Sequence, residues 1–146
     1  MTLPYENATS GGNALNEIQK ILQGFGCQRV GTMLDIEQGE QIVQFTYRNR
    51  NVTIKASYRG YAAAWLKHHP YTNRMRCTEQ EHKRRAVAQA EISVCSLLRD
   101  WIKGQITAVE VGMMTFEGAF LGNLLLPSGQ TVMEVLVDKD LLRLEA

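Results

Sequence analysis

The chain has 146 residues, 45% of them apolar, with three cysteines and a formal net charge of +1, which fits one ordinary globular domain over residues 1–146. No stretch approaches the roughly 18 consecutive apolar residues of a membrane span, and Met1 to Glu6 has neither the basic nor the apolar region of an export signal. Cys27, Cys77 and Cys95 are odd in number and lack a C-x-x-C spacing, which argues against a disulfide scaffold and for a reducing, cytoplasmic setting.

After a polar lead to Asn13, the residues Leu15, Ile18, Ile21, Leu22 and Phe25 recur at helical spacing until Gly24 and Gly26 end the pattern, predicting one amphipathic helix. From Val30 to Ser57 the period becomes two: Val30, Thr32, Leu34 and Ile36, then Val43, Phe45 and Tyr47, then Val52, Ile54 and Ala56. Glu37-Gln38-Gly39-Glu40 and Arg48-Asn49-Arg50-Asn51 separate these runs, so a three-stranded antiparallel meander is expected. Between Tyr58 and Cys77 the pattern is less regular. Ala62 to Leu66 suits a short helix and His69-Pro70-Tyr71 breaks it, which predicts a partly ordered excursion from the sheet.

Thr78 stands three residues before Glu81, and Glu79 and Glu81 occupy a first turn where the helix dipole favours acids. A long helix is expected from there to about Lys103, with Gly104 as its stop. Its stripe of Val87, Ala90, Val94, Leu97, Leu98, Trp101 and Ile102 has near-heptad spacing, compatible with packing on its own sheet or with the same helix of a second subunit. A separate helix is predicted over Gln105 to Val111, and a further turn from Thr115 with Phe116, Ala119 and Phe120. Pro127-Ser128-Gly129-Gln130 reads as a turn. Thr131 and Glu134 have capping-box spacing, so Val132 to Leu136 suits a short helix, while Val132, Val135 and Val137 suit a strand equally. The expected fold is α+β: a three-stranded antiparallel sheet with an N-terminal helix, a long central helix and a helical C-terminal region.

The near-zero net charge hides a segregation. Residues 47–85 carry ten basic side chains against Glu79 and Glu81, a net +8, and the rest of the chain is −7. Phe45, Tyr47, Tyr58, Tyr61, Trp65 and Tyr71 lie in or beside this stretch, six of the eleven aromatic residues. Cations interleaved with flat rings suit ligands that hold both phosphates and bases; the competing account is that the basic part neutralises the acidic part of the same fold. Arg74, Arg76, Arg84 and Arg85, beside Tyr71, form the expected phosphate-binding cluster, since guanidinium groups take phosphate oxygens bidentately. Arg48, Arg50 and Arg59, with Tyr58, Tyr61 and Trp65, are the set expected to hold a strand of nucleic acid.

Other chemistries find less support. His68, His69, Cys77 and His82 are spaced unlike any usual zinc site, no Gly-rich phosphate loop occurs, and Cys95, Ser96 and Ser128 lack the context of a catalytic nucleophile. A binding protein without catalytic residues, metal or cofactor is therefore expected.

Gly104 to Gly112, Thr115-Phe116-Glu117, Phe120-Leu121, Leu126-Pro127-Ser128-Gly129 and Thr131-Val132, behind Trp101-Ile102-Lys103, resemble the C-terminal signature of a family of small phage and prophage proteins. The resemblance covers residues 40 to 136 and implies a viral accessory protein acting in the host cytoplasm. The chain also looks like the anti-Thoeris sponge proteins, oligomers that sequester cyclic ADP-ribose isomers. That resemblance implies Phe116 and Asn123 at an adenine, Arg84 and Arg85 on phosphates, and a homo-oligomer that takes up a nucleotide immune signal. Two further readings are a single-stranded nucleic-acid binder of phage replication or recombination, because a helix, three strands and a helix are close to the order in annealing proteins and double-stranded RNA modules, and an inhibitor of an acidic host protein.

Overall fold

A computed structural model describes residues 2–144 of the chain. The fold is α+β, in the expected element order. Helix α1 spans Gly11–Phe25; the Ser10 hydroxyl accepts the Asn13 N–H at its start, and Gly26, at φ 107°, ends it in the left-handed conformation that favours glycine. Ala14, Ile18 and Leu22 are its buried face.

Strands β1 (Arg29–Asp35), β2 (Glu40–Tyr47) and β3 (Arg50–Ser57) form the antiparallel meander in the order β1-β2-β3. Register pairs Val43 with Ile54 and Phe45 with Val52, which places these four on one face, packed with α1 and the long helix in the main core. The second turn is tighter than the four-residue run suggests: only Arg48 and Asn49 lie outside the strands. Both have positive φ, 47° and 65°, the two-residue geometry that matches strand twist.

The excursion after β3 is a full helix, α2 (Tyr58–His68), opened by the Ser57 hydroxyl on the Gly60 N–H and closed before Pro70. Residues 69–78 are irregular. Helix α3 then runs from Glu79 to Glu110, 32 residues, with Thr78 as its cap. Gly104 does not stop it, and the predicted helix over Gln105 to Val111 is its last turns. The cost of one exposed glycine, about 1 kcal/mol, is outweighed by the burial of Ile102 and Ile106 on either side. The stop is Gly112, at φ 78°.

Helix α4 (Phe116–Phe120) follows, capped by Thr115, and leads through a 3-10 turn at Leu121–Asn123 to Leu124 and Leu125. Leu124 pairs with Val52, and the Leu125 N–H donates to Asn51 O at 2.8 Å. The C-terminal region thus pairs with the start of the outer edge of β3. Helix α5 (Val132–Asp138) settles the open alternative of helix or strand, through a complete capping box of Thr131 and Glu134. These Thr131 hydrogen bonds, first the backbone N–H and then the hydroxyl, hold the Glu134 carboxyl below its ordinary pKa. Among the described residues no helix is long and apolar enough to cross a membrane.

Candidate phosphate-binding surface

The fold divides the basic segment into two parts with different surroundings. Cations of the β2-β3 hairpin and its neighbours are met within the chain. Arg50 Nε lies 3.1 Å from Glu117, Lys55 Nζ lies 3.5 Å from Glu134, and Arg59 Nη2 donates to Ile36 O at 2.9 Å. The Arg48 guanidinium sits 5.2 Å from the centre of the Tyr47 ring.

The second part gathers where α2 ends and α3 begins. Lys67 is on the last turn of α2, Arg74 and Arg76 are on the connecting loop, and Lys83, Arg84 and Arg85 are on the first two turns of α3. All six are exposed. Lys83 has a long contact to Glu79, 3.9 Å; among the described residues the other five meet no carboxylate within 4 Å. Arg84 and Arg85 are adjacent on a helix, so their side chains leave about 100° apart and straddle α3. The result is a broad cationic end, open to solvent, rather than an enclosed pocket.

The aromatic residues named from the sequence build this end instead of lining a ligand site. Tyr58 is buried in the core. The Tyr61 hydroxyl donates to Pro4 O, and the Tyr71 hydroxyl donates to Cys77 O at 2.8 Å. Trp65 packs against the rings of His69, 4.5 Å away, and His82, 5.2 Å away. His82 is buried and donates through Nε2 to His69 O, while His69 Nε2 pairs with Glu6. These histidines have structural partners, and among the described residues no three His, Cys, Asp or Glu side chains gather as a metal site.

Phe116 and Asn123 lie elsewhere. Phe116 is buried beside Phe120, Tyr47 and Phe25, with ring centres at 5.2, 4.9 and 6.2 Å, so its faces are covered by protein. Asn123 is half-buried and reaches Thr53 O at 3.5 Å. Phe120, the neighbour of Phe116, packs on Trp101, which is about 25 Å along α3 from Arg84. Within one chain, Arg84 and Arg85 therefore do not share a small-molecule site with Phe116 and Asn123. Burial pushes the Cys27 thiol up to about 11 and raises that of Cys95 as well, which disfavours the reactive thiolate at both.

Sequence reading missed one feature, the docking of residues 2–10 along α3. The Tyr5 hydroxyl donates to Asp100 at 2.6 Å, Ser93 Oγ donates to Tyr5 O at 2.7 Å, and Gln89 Nε2 donates to Ala8 O at 3.0 Å. A polar cleft of about 510 Å³ lies between this segment and Ser96 and Arg99 of α3. The available signal was polar residues, Gln89 and Ser93, on the inner side of a long helix.

The Tyr5 hydrogen bond, followed by that from Arg99, holds the Asp100 carboxyl below its ordinary pKa, and the same bond to Asp100 raises that of Tyr5. A depressed carboxyl contributes stability above its unfolded pKa, about 3.9, and loses it as pH falls. A raised phenol contributes below about 10 and loses it as pH rises. Tyr5→Phe is therefore expected to destabilise the protein at pH 7, with the deficit shrinking toward pH 3. Urea denaturation of both proteins at the two pH values measures this; an equal deficit at both would show that the hydroxyl acts without Asp100.

No protein-family model, curated protein or solved structure matches the chain. Fold and surface together define an α+β protein with an exposed cationic end, whose Lys67 and four arginines meet no carboxylate within 4 Å among the described residues.

Proposed function

We propose that the protein binds nucleic acid through its phosphates, at the surface formed by the end of α2, the 69–78 loop and the start of α3. The observation that carries this reading is the contrast between the two halves of the basic segment. Acids of the C-terminal region meet Arg50 and Lys55, whereas Lys67, Arg74, Arg76, Arg84 and Arg85 stand exposed without such partners among the described residues. Like charges held together on a folded surface repel one another, and a polyanion relieves that repulsion while releasing counterions. The neighbouring rings are packed or hydrogen-bonded, which favours contact with the backbone over stacking on bases. Sequestration of a small nucleotide would use the same cations, but Phe116 and Asn123 are out of their reach in one chain. In the phage setting that the C-terminal signature suggests, such a protein would serve replication or recombination, by binding rather than by chemistry.

Salt dependence tests the reading. Four or five phosphate contacts give a log-log slope of about −3 to −4, so affinity should fall about a hundredfold between roughly 50 and 200 mM salt. Fluorescence anisotropy with a labelled oligothymidine and a labelled RNA duplex reports this directly and shows which form is preferred. Failure to bind either probe at low salt, or a salt-insensitive complex with cyclic ADP-ribose alone, would overturn it.

A further inference from the structure

The sheet has two edges, and the chain treats them differently. Leu124 and Leu125 pair with the outer side of β3 at Asn51 and Val52, while the outer side of β1 meets no strand among the described residues. Proteins usually blunt a free edge with lysine, proline or a bulge. Strand β1, Arg-Val-Gly-Thr-Met-Leu-Asp, has no lysine or proline, and Gly31, Thr32, Met33 and Leu34 are all exposed. Met33 and Leu34 are 53% and 43% exposed, on opposite faces of the strand.

We propose that this edge pairs with the β1 edge of a second copy, antiparallel about a two-fold axis at Thr32, to form one continuous six-stranded sheet. The strand is self-complementary in that register. Arg29 stands opposite the partner's Asp35, and the symmetry repeats the ion pair. Val30 stands opposite the partner's Leu34 on the core-facing side, Met33 lies over the partner's Gly31 on the other side, and Thr32 meets its own copy as a β-branched pair. Residues that oppose each other in an antiparallel pair share a face, so the helices of both copies lie on one side of the sheet. A shift by two residues in either direction separates both ion pairs, setting Met33 against Arg29 or Asp35 against Gly31. This charge complementarity selects a second copy as the occupant. Arg29 is exposed and, among the described residues, meets no carboxylate of its own chain within 4 Å. The cations assigned to nucleic acid lie elsewhere, so the two readings stand or fall separately.

Sedimentation of the full chain and of two charge variants tests the pairing. The unaltered protein should form a dimer. Arg29→Asp and Asp35→Arg should each weaken it at least tenfold, by setting like charges opposite each other twice. An equimolar mixture should recover a heterodimer, because one chain then presents two acids and the other two bases. Asp35 also accepts the Gln38 N–H at 3.0 Å, so the Asp35 variant is checked by circular dichroism. A second variant, Thr32→Cys, decides the matter if that chain does not fold. Antiparallel partners place their Cα atoms about 4.5–5.5 Å apart, within disulfide reach, and mild oxidation should link two copies at residue 32. A monomer at every concentration, a dimer indifferent to Arg29→Asp, a mixture of folded variants that stays monomeric, or no link at residue 32 would overturn the proposal.

Discussion

Phe120→Ala is expected to cost about 3–5 kcal/mol, a large share of the 5–15 kcal/mol that holds a domain of this kind folded. Phe120 is fully buried, although it ends a helix of only five residues. Its ring meets Phe45 of the sheet edge-on at 5.4 Å and Trp101 of α3 edge-on at 6.0 Å, with Phe116 at 5.2 Å. One side chain therefore joins the sheet, the long helix and the C-terminal region, and truncation leaves a cavity where three elements meet. Urea denaturation followed by tryptophan fluorescence measures the loss. Phe120→Leu should retain most of the stability because it keeps most of the volume. A cost below about 1 kcal/mol for the alanine variant would mean that α4 is only loosely docked and repacks without its anchor.

The largest effect on binding is expected from Arg84→Glu combined with Arg85→Glu. Each phosphate contact contributes about 0.7–0.9 of a decade in affinity per decade of salt. Removal of two contacts at about 0.1 M salt thus weakens binding roughly fifty-fold, and the new negative charges add to that. Both side chains are exposed on the first two turns of α3, so stability should change little. The slope of log affinity against log salt should shrink by about 1.4–1.8. Arg50→Glu at the neutralised hairpin serves as the contrast, with a smaller effect on binding. Unchanged affinity in the double variant would place the nucleic acid elsewhere on the molecule.

What could be read from the residues was what a repeating pattern records. Val43 and Phe45 against Val52 and Ile54 keep a period of two because that face packs on the helices, and the period carried the meander and the α+β class, but not the burial of Ile42 and Thr53 on the other face. The caps at Ser10, Thr78, Thr115 and Thr131 follow local chemistry, and two of them, Thr78 with Glu81 and Thr131 with Glu134, were visible as spacings. Gly104 was misread because a stop signal is local while the forces that override it, the burial of Ile102 and Ile106, are tertiary. The site was harder to read. Composition displays the basic segment but not its partners, since Glu117 and Glu134 lie far along the chain from Arg50 and Lys55. The rings of residues 58–71 lack a clear period, and only the packed structure shows Trp65 enclosed by histidines and Tyr58 in the core. Phe116 was correctly placed in a turn of helix, yet its role as core or ligand contact depended on what covered it.

The pairing of Leu124 with β3 has a consequence for biosynthesis. Val52 and its partner are separated by about seventy residues, and a ribosome adds roughly 5–20 residues per second. For several seconds the emerging meander has both of its outer edges open, with α3 still incomplete and Phe120 not yet made. Contacts between residues so distant in the chain form late and slow folding. The nascent protein is therefore most vulnerable to proteases and to its own kind during this interval, and the emergence of Phe120 and Leu124 is the event that ends it.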